Sequence, residues 1–209
     1  MTAKIRDPIN SFTHFIGTIF SFFAFYILMS KSTTISQYIS FTIYVLGMFA
    51  SFTSSAIYHA YYGDEKVIFK LRKLDHVMIY VFIASTYTPV TILVLGGKLK
   101  WLMLFSIWAI AFVGFLLEFK FKELPRYFST LLYVIMGWIA IFAIKPLYRA
   151  LEFNHFMLLV YGGIFYTIGA LIYATKKPNF FKFIGFHEIF HIFVLLGSFM
   201  HFLFMLNLV

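Results

Sequence analysis

The stretch GFHEIFHIFVLLGSFMHF, residues 185–202, combines a metal-binding pattern with the composition of a membrane helix. Its HEIFH matches H-E-x-x-H, the motif in which two histidines of a zinc protease bind the metal and the glutamate acts as base. Extended forms of that signature need a glycine and a third histidine where this chain has Val194 and Gly197. The apolar run from His187 to Val209 exceeds the roughly 20 residues that cross a bilayer. The stretch therefore indicates a membrane span that opens with polar residues, rather than a soluble protease helix.

The composition of the whole chain supports a lipid environment. Of its 209 residues, 62% are hydrophobic and 12% are charged, whereas soluble domains carry roughly 45–50% and about 25%. The absence of cysteine excludes disulfides and thiolate metal sites. The net charge of +9 does not indicate nucleic acid binding, because Lys and Arg lie singly or in small groups between apolar runs. In that arrangement they set the orientation of membrane helices.

Seven apolar runs are long enough to span a membrane, and short connections join them. We expect one domain over residues 1–209, an all-α bundle of seven transmembrane helices, with no cleavable signal peptide. The predicted spans are Phe12–Ser30, Tyr38–His59, Leu74–Leu95, Leu99–Glu118, Tyr127–Ile144, His155–Thr175 and His187–Val209.

The distribution of Lys and Arg between the loops predicts the orientation of the bundle. Five lie on one side: Lys31, Lys98, Lys100, Lys145 and Arg149. Twelve lie on the other: Lys4, Arg6, Lys66, Lys70, Arg72, Lys73, Lys120, Lys122, Arg126, Lys176, Lys177 and Lys182. The excess predicts a cytoplasmic N-terminus and an outside C-terminus.

Four polar clusters fall at the same predicted depth, near the cytoplasmic face. They are NSFTH at the start of span 1, SSAIYH at the end of span 2, LRKLDH at the start of span 3 and HEIFH at the start of span 7. Ionisable side chains are costly inside a membrane and tend to mark function. The convergence of clusters that are distant in sequence predicts a site at this depth.

The residues of these clusters fit a zinc site. His187 and His191 are four residues apart, so they share one helix face, and His59 provides a third imidazole. Three protein ligands and a water are typical of catalytic zinc. Asp75 fits the role of orienting that water or accepting its proton, and Ser55 that of a polar support or oxyanion partner.

Each of these residues also has a purely structural interpretation. A lone intramembrane histidine more often packs or hydrogen-bonds than binds metal, Asp75 can pair with Arg72 or Lys73, and Ser55 can bond to a helix carbonyl. Ser55, His59 and Asp75 also mimic a Ser-His-Asp set, although nothing marks a nucleophile elbow.

Other polar residues near these clusters are expected to have structural roles. Asn10 and His14 are interpreted as a helix cap and an interface anchor, and Glu188 as a partner of its helix N-terminus or a residue that supports the metal ligands. His201 lies 14 residues beyond His187, about 21 Å along a helix, which is too far to bind the same ion.

The motifs DPINSFTHFIG, SSAIYH, LRKLDHVMIYVFIASTYTP and HEIFHIFVLLGSFMHF together resemble the hemolysin III family. These bacterial membrane proteins are relatives of the progestin and adipoQ receptors, in a wider group that includes alkaline ceramidases. The resemblance runs from about Asp7 to the last span. It implies a seven-helix bundle with Zn²⁺ near the cytoplasmic face, held by His59, His187 and His191, with Asp75 contacting it through water.

The resemblance and the residues together predict a multi-pass protein of the plasma (inner) membrane that hydrolyses or senses a membrane lipid. Zinc-bound water would attack an amide or ester bond, and the protein would act in lipid homeostasis. Two alternatives remain open. One is a pore-forming cytolysin, and the other is a non-enzymatic, receptor-like regulator in which the zinc is structural.

Overall fold

The computed structural model describes residues 4–121, 124–179 and 184–209, and it is helical over most of that length. Two positions used in the charge argument, Lys122 and Lys182, lie outside the described residues. The α-helices are α1 Pro8–Lys31, α2 Ile35–Ala60, α3 Glu65–Pro89, α4 Gly97–Lys120, α5 Arg126–Trp138, α6 Ile144–Ala150, α7 Phe153–Thr175 and α8 Phe186–Met205. A π-helical turn, Val90–Val94, extends α3, and a 3₁₀ turn, Ile139–Ala143, joins α5 to α6.

These helices form seven segments that are long and apolar enough to cross a membrane, as predicted. The segment Arg126–Ala150, formed by α5, the 3₁₀ turn and α6, is the fifth span. Several helices begin earlier than the apolar runs do, because polar residues cap their first turns. Thr34 and Gln37 form a capping box at α2, and the Asp64 carboxylate accepts a hydrogen bond from the Lys66 amide at α3.

The helices α2 and α3 are the most buried spans. Small residues let the neighbouring helices approach closely, as is usual between membrane helices. A Cβ on Gly47 of α2 would overlap the Ser85 side chain of α3, and one on Gly17 of α1 would lie 2.6 Å from the Phe52 ring of α2. Large hydrophobic side chains such as Phe22 and Phe105, which are 63% and 67% exposed, face outward. That surface matches a lipid environment.

The fifth span packs mainly against α7 and touches α3 more sparsely. This leaves a cavity of about 770 Å³ between α3, the fifth span, α7 and α8. His187 and His191 line one end of the cavity, and His201 lines the other. The fold therefore places the predicted site at one end of a cavity that runs along the bundle.

Candidate metal centre

Three histidines meet where the end of α2 comes beside the start of α8. The ligand nitrogens of His59, His187 and His191 all lie within 4.8 Å of one another. Nε2 of His59 is 3.3 Å from Nε2 of His187. His59 and His191 are buried, and His187 is partly buried. This group could hold a metal ion, and it consists of the three histidines that the sequence analysis selected.

Asp7, just before α1, orients His59. Its Oδ2 lies 3.0 Å from Nδ1 of His59 and accepts a second hydrogen bond from Nε of Arg6, also at 3.0 Å. Arg6 is itself anchored, because its Nη2 donates to the Tyr58 carbonyl at 2.7 Å. Partial burial raises the pKa of Asp7, but the hydrogen bonds from His59 and Arg6 outweigh it, so this pKa lies below its usual value. An ionised Asp7 accepts a hydrogen bond from Nδ1–H of His59. The other ring nitrogen, Nε2, then carries the lone pair and lies near His187.

His191 is held in a similar way from α1. Its Nδ1 lies 3.3 Å from the Thr13 hydroxyl oxygen, and the Asn10 carbonyl is a further hydrogen-bond partner. The ring of His14 stacks on the His191 ring, with centroids 3.6 Å apart and an interplanar angle of 16°. The interpretation of His14 as an interface anchor is therefore wrong. The residue is only 6% exposed, because His191 of α8 and Phe52 of α2 both pack against its ring.

Glu188, the acidic residue of the H-E-x-x-H pattern, belongs to the start of α8. Its Oε2 accepts a hydrogen bond from the Gly185 amide at 2.8 Å, and its Oε1 accepts one from the Asn10 side chain at 2.7 Å. The expected role at the helix N-terminus is confirmed. The same contact shows that Asn10 ties α1 to α8 rather than acting as an ordinary cap.

Asp75 and Ser55 lie together on the cavity wall beside the histidines. The Ser55 hydroxyl is a side-chain hydrogen-bond partner of Asp75, and both residues line the cavity along with His187 and His191. Asp75 is not one of the three grouped ligands. It is therefore a neighbour of the group that lines the same cavity.

The structure also bears on two alternative interpretations of this region. Nζ of Lys73 donates to the carbonyls of Glu118 and Phe121 at 2.6 and 2.7 Å. A Ser-His-Asp relay is not formed. His59 directs Nδ1 at Asp7 and Nε2 at His187, so it does not connect Ser55 to Asp75.

The sequence analysis did not identify Asp7 and Thr13 as partners of the site. Both lie within or beside the first polar cluster, whose depth matched that of the histidines. The signal for Asp7 was its position immediately before Pro8, which fixes it at a helix start and at that depth. The pairing itself depends on how α1 packs against α2 and α8.

Comparisons with known proteins agree with this architecture. The family model described as "Haemolysin-III related" matches residues 2–202. The chain is 41% identical over 206 residues to Hemolysin-3 of Bacillus cereus, covering 97% of this chain and 91% of that protein. It is 36% identical over 198 residues to the Hemolysin-3 homolog of Bacillus subtilis (strain 168), covering 93% and 90%.

More distant eukaryotic proteins also match. Heptahelical transmembrane protein 1 of Arabidopsis thaliana is 27% identical over 229 residues, covering 94% of this chain and 68% of that protein. Human monocyte to macrophage differentiation factor is 26% identical over 167 residues, covering 77% and 66%. The family model matches nearly the whole chain, and the two Bacillus proteins are similar over more than nine-tenths of it. This chain therefore belongs to the haemolysin-III family of membrane proteins.

Proposed function

We propose that this protein is a zinc-dependent hydrolase that cleaves an amide or ester bond of a membrane lipid. We place it in the plasma (inner) membrane, where it acts in lipid homeostasis. One observation carries the proposal. The group of three histidines adjoins a cavity of about 770 Å³ between apolar spans, and His187, His191 and Asp75 line that cavity.

The donor atoms fit zinc. Zinc–nitrogen bonds of about 2.0–2.1 Å in a tetrahedral site hold two ligand nitrogens about 3.3 Å apart, and the Nε2 atoms of His59 and His187 are 3.3 Å apart. Imidazole ligands whose other nitrogen is hydrogen-bonded are typical of such sites, and Asp7 and Thr13 provide those bonds. The three histidines would hold the ion, and two of them, His187 and His191, also line the cavity.

The reaction needs an activated water, a proton acceptor and a bound substrate. Bound zinc would supply the first by lowering the pKa of a coordinated water to about 7. Asp75, which lines the cavity beside His187 and His191, would orient that water and accept its proton. Ser55, held by Asp75, would be the polar support for the carbonyl oxygen. The lipid chain would lie along the cavity, with the scissile bond at the histidine end.

Metal analysis and lipid turnover on the purified full-length protein test this proposal. We expect near-unit zinc stoichiometry in the wild type, loss of zinc in His191→Ala, and loss of lipid hydrolysis in the same variant. His155→Ala is the control, since His155 lies in the first turn of α7 and its Nε2 is 3.9 Å from Oε2 of Glu152. A wild-type protein without zinc would refute the metal site. Hydrolysis that survives in His191→Ala would refute its catalytic role.

A structural role for zinc is the second candidate. The three ligands come from α2 and α8, so a bound ion would join two helices that are distant in sequence. This candidate, a non-enzymatic regulator with structural zinc, would be favoured over the enzyme by two results together. The protein would unfold when zinc is chelated, and the zinc-loaded protein would hydrolyse no membrane lipid.

A pore-forming function is the third candidate, because the bacillar relatives carry the name hemolysin. Conductance in planar bilayers that persists in His59→Ala would favour it. If the protein is an enzyme, we expect no conductance from the wild type or from His59→Ala.

A further inference from the structure

The start of the fifth span carries a charged side chain that the proposed chemistry does not use. Arg126 is the first residue of α5, and it lines the cavity. Its guanidinium lies over two rings, with Cζ 4.6 Å from the ring centroid of Tyr173 on α7 and 5.4 Å from that of Phe186 on α8. The ring centroid of Tyr173 is in turn 5.5 Å from that of His187. One aromatic ring therefore separates Arg126 from a proposed metal ligand.

Arg126 has no anionic partner among the described residues, and its guanidinium donates no hydrogen bond to any of them. Nη1 is enclosed by the protein, but Nε and Nη2 are not enclosed, so these two nitrogens remain accessible to a ligand. A guanidinium is always charged, and its N–H donors form a rigid fork that matches carboxylate and phosphate groups. An unpaired cation beside an apolar cavity is costly, so this side chain favours the binding of an anion.

The two carboxylates that the described part of the chain places on the cavity wall have other partners. Oε1 of Glu118 accepts a hydrogen bond from the Ser129 hydroxyl at 3.2 Å and lies 3.5 Å from Nδ1 of His76. Asp75 is bonded to a serine hydroxyl. Lys73, a second cation on this wall, donates to backbone carbonyls instead of a carboxylate. The cavity wall therefore carries positive charge that no described carboxylate pairs with.

We propose that Arg126 and Lys73 form a phosphate site, which binds the phosphate group of a phospholipid while an acyl ester of the same lipid lies at the histidines. In a phospholipid a short glycerol unit joins the phosphate to the acyl esters. That spacing suits an arginine one ring away from a metal ligand. The inference rests on the proposed function, because it names the class of lipid that the same site takes.

Free inorganic phosphate offers the same chemistry, but two observations favour a lipid. Arg126 is the first residue of a span, which is the depth at which the phosphate groups of a bilayer lie. The cavity that it lines also includes apolar wall residues such as Ile83, Val160 and Val194, which suit acyl chains. A free anion would gain nothing from that apolar surface.

Two lipids that differ only in the phosphate test the site. The ether-linked dioleyl analogues of phosphatidic acid and diacylglycerol share their chains and cannot be hydrolysed. Native mass spectrometry on the zinc-loaded, detergent-solubilised full-length protein would measure the affinity for each. We expect the phosphatidic acid analogue to bind about 10- to 100-fold more tightly, the effect of a charged hydrogen bond. Equal affinities, or tighter binding of the diacylglycerol analogue, would overturn the inference.

Variants identify the groups responsible for the preference. Arg126→Gln should reduce it about tenfold or more, and Lys73→Gln should reduce it by a smaller factor. Arg126→Lys should keep part of it, since lysine retains the charge but not the fork of donors. Lys70→Gln is the matched control, because Lys70 is exposed one turn earlier on α3 and is not part of the cavity wall.

The control decides whether the preference belongs to the site or to the basic face as a whole. Equal losses in Lys70→Gln and Arg126→Gln would indicate general attraction of anionic lipids, and they would overturn the assignment. A preference that survives in both Arg126→Gln and Lys73→Gln would overturn it as well. If Arg126→Gln does not fold, Arg126→Lys and Lys73→Gln still decide.

Inorganic phosphate separates the two sources of the group. We expect the preference for the phosphatidic acid analogue to persist in phosphate buffer, because the chains also hold the lipid in the cavity. The opposite result has two parts. The two lipids would bind equally, and inorganic phosphate would stabilise the wild type but not Arg126→Gln against thermal unfolding. The site would then take free phosphate, and the lipid assignment would be wrong.

Loss of the metal distinguishes this inference from the proposed function. His191→Ala removes a proposed metal ligand but leaves Arg126 and Lys73 in place, so it should lose zinc and keep most of the preference. A wild-type protein that holds no zinc and hydrolyses no lipid, yet keeps the preference, would refute the hydrolase and leave the phosphate site. A protein that hydrolyses lipid and binds the two analogues equally would do the reverse.

Discussion

At the scale of single residues, the histidine group depends on side chains that do not themselves face the cavity. Asp7 fixes the Nδ1 proton of His59, and Thr13 lies 3.3 Å from Nδ1 of His191. A metal ligand whose outer nitrogen is bonded to a carboxylate is better oriented and more basic. Both partners come from α1 or the residue before it, so the first helix completes a site that it does not ligate.

Replacement of Asp7 by Asn should weaken the metal site without unfolding the protein. The amide keeps the shape of the carboxylate but loses its charge and offers His59 a weaker acceptor. We expect metal affinity to fall about 10- to 100-fold, the usual effect of removing such a partner. Competition with a chromophoric chelator would measure it. Asp64→Asn is the matched control, since Asn also caps helices well and Asp64 is at the start of α3. Equal losses in both variants would contradict the role given to Asp7.

Replacement of Asp75 by Asn should separate metal binding from turnover. Asp75 lines the cavity beside the histidines but is not one of the three grouped ligands. We therefore expect zinc stoichiometry to stay near that of the wild type while lipid hydrolysis falls by roughly 10²- to 10⁴-fold, the range for loss of a general base. Zinc analysis and turnover on the same preparation check this. Loss of zinc in the variant would instead make Asp75 a ligand.

Much of the candidate site could be predicted from local spacing and membrane depth. The i, i+4 pair His187 and His191 shares a face in any helix, and the depth argument added His59 and Asp75. Asp7 and Thr13 were missed because their partners depend on how α1 packs, which no periodicity reports. His14 was misread for the same reason, since its ring is buried by the packing of α2 and α8 against α1.

At the scale of elements, the α-helix of the fifth span is interrupted after Trp138 by the 3₁₀ turn Ile139–Ala143. The hydroxyl of Tyr87 on α3 forms hydrogen bonds to the backbone at this break. Its hydroxyl lies 3.0 Å from the Met136 carbonyl oxygen and 2.7 Å from that of Gly137, and it accepts a hydrogen bond from the Ala140 amide at 2.9 Å. Inside a membrane, backbone groups freed by a break must find partners within the protein. Tyr87 provides them, and it fixes the span that forms one wall of the cavity.

Replacement of Tyr87 by Phe should destabilise the bundle while leaving the histidine site intact. The buried carbonyls and amide of the break would lose their partner, at a cost of about 1–3 kcal/mol. Thermal unfolding in detergent should show a lower midpoint, and zinc stoichiometry should not change. Tyr26→Phe is the control, because Tyr26 is 73% exposed on α1. An unchanged midpoint in Tyr87→Phe would show that the break does not need this hydroxyl.

The seven spans could be predicted because each needs only a long apolar run. The interruption of the fifth span at Ile139–Ala143 could not be predicted. The predicted fifth span ended at Ile144, since Lys145 and Arg149 resemble a loop. The structure continues it to Ala150, and basic side chains at a span end can extend their charges to the interface. The turn at Ile139–Ala143 contains no proline and depends on a tyrosine of another helix. Sequence periodicity carries no sign of that contact.

At the scale of the whole molecule, the two ends of the bundle differ in chemistry. The candidate metal centre lies where α2 ends and where α1, α3 and α8 begin. The same end carries the larger group of predicted loop cations, among them Arg6, Lys66 and Arg126. If the excess of Lys and Arg marks the cytoplasm, the metal centre faces the cytoplasmic side and the His201 end of the cavity faces outward.

Cysteine labelling at the two ends of one span would test this orientation directly. The chain contains no cysteine, so single variants give an unambiguous signal. Lys66 and Lys98 are both exposed and flank the third span at opposite ends. We expect a membrane-impermeant maleimide to label Lys98→Cys in intact cells, and to label Lys66→Cys only after the membrane is permeabilised. If only Lys66→Cys were labelled in intact cells, the orientation of the bundle would be the opposite of the predicted one. The metal centre would then face outward, and a lipid of the outer leaflet would be the one that meets it first.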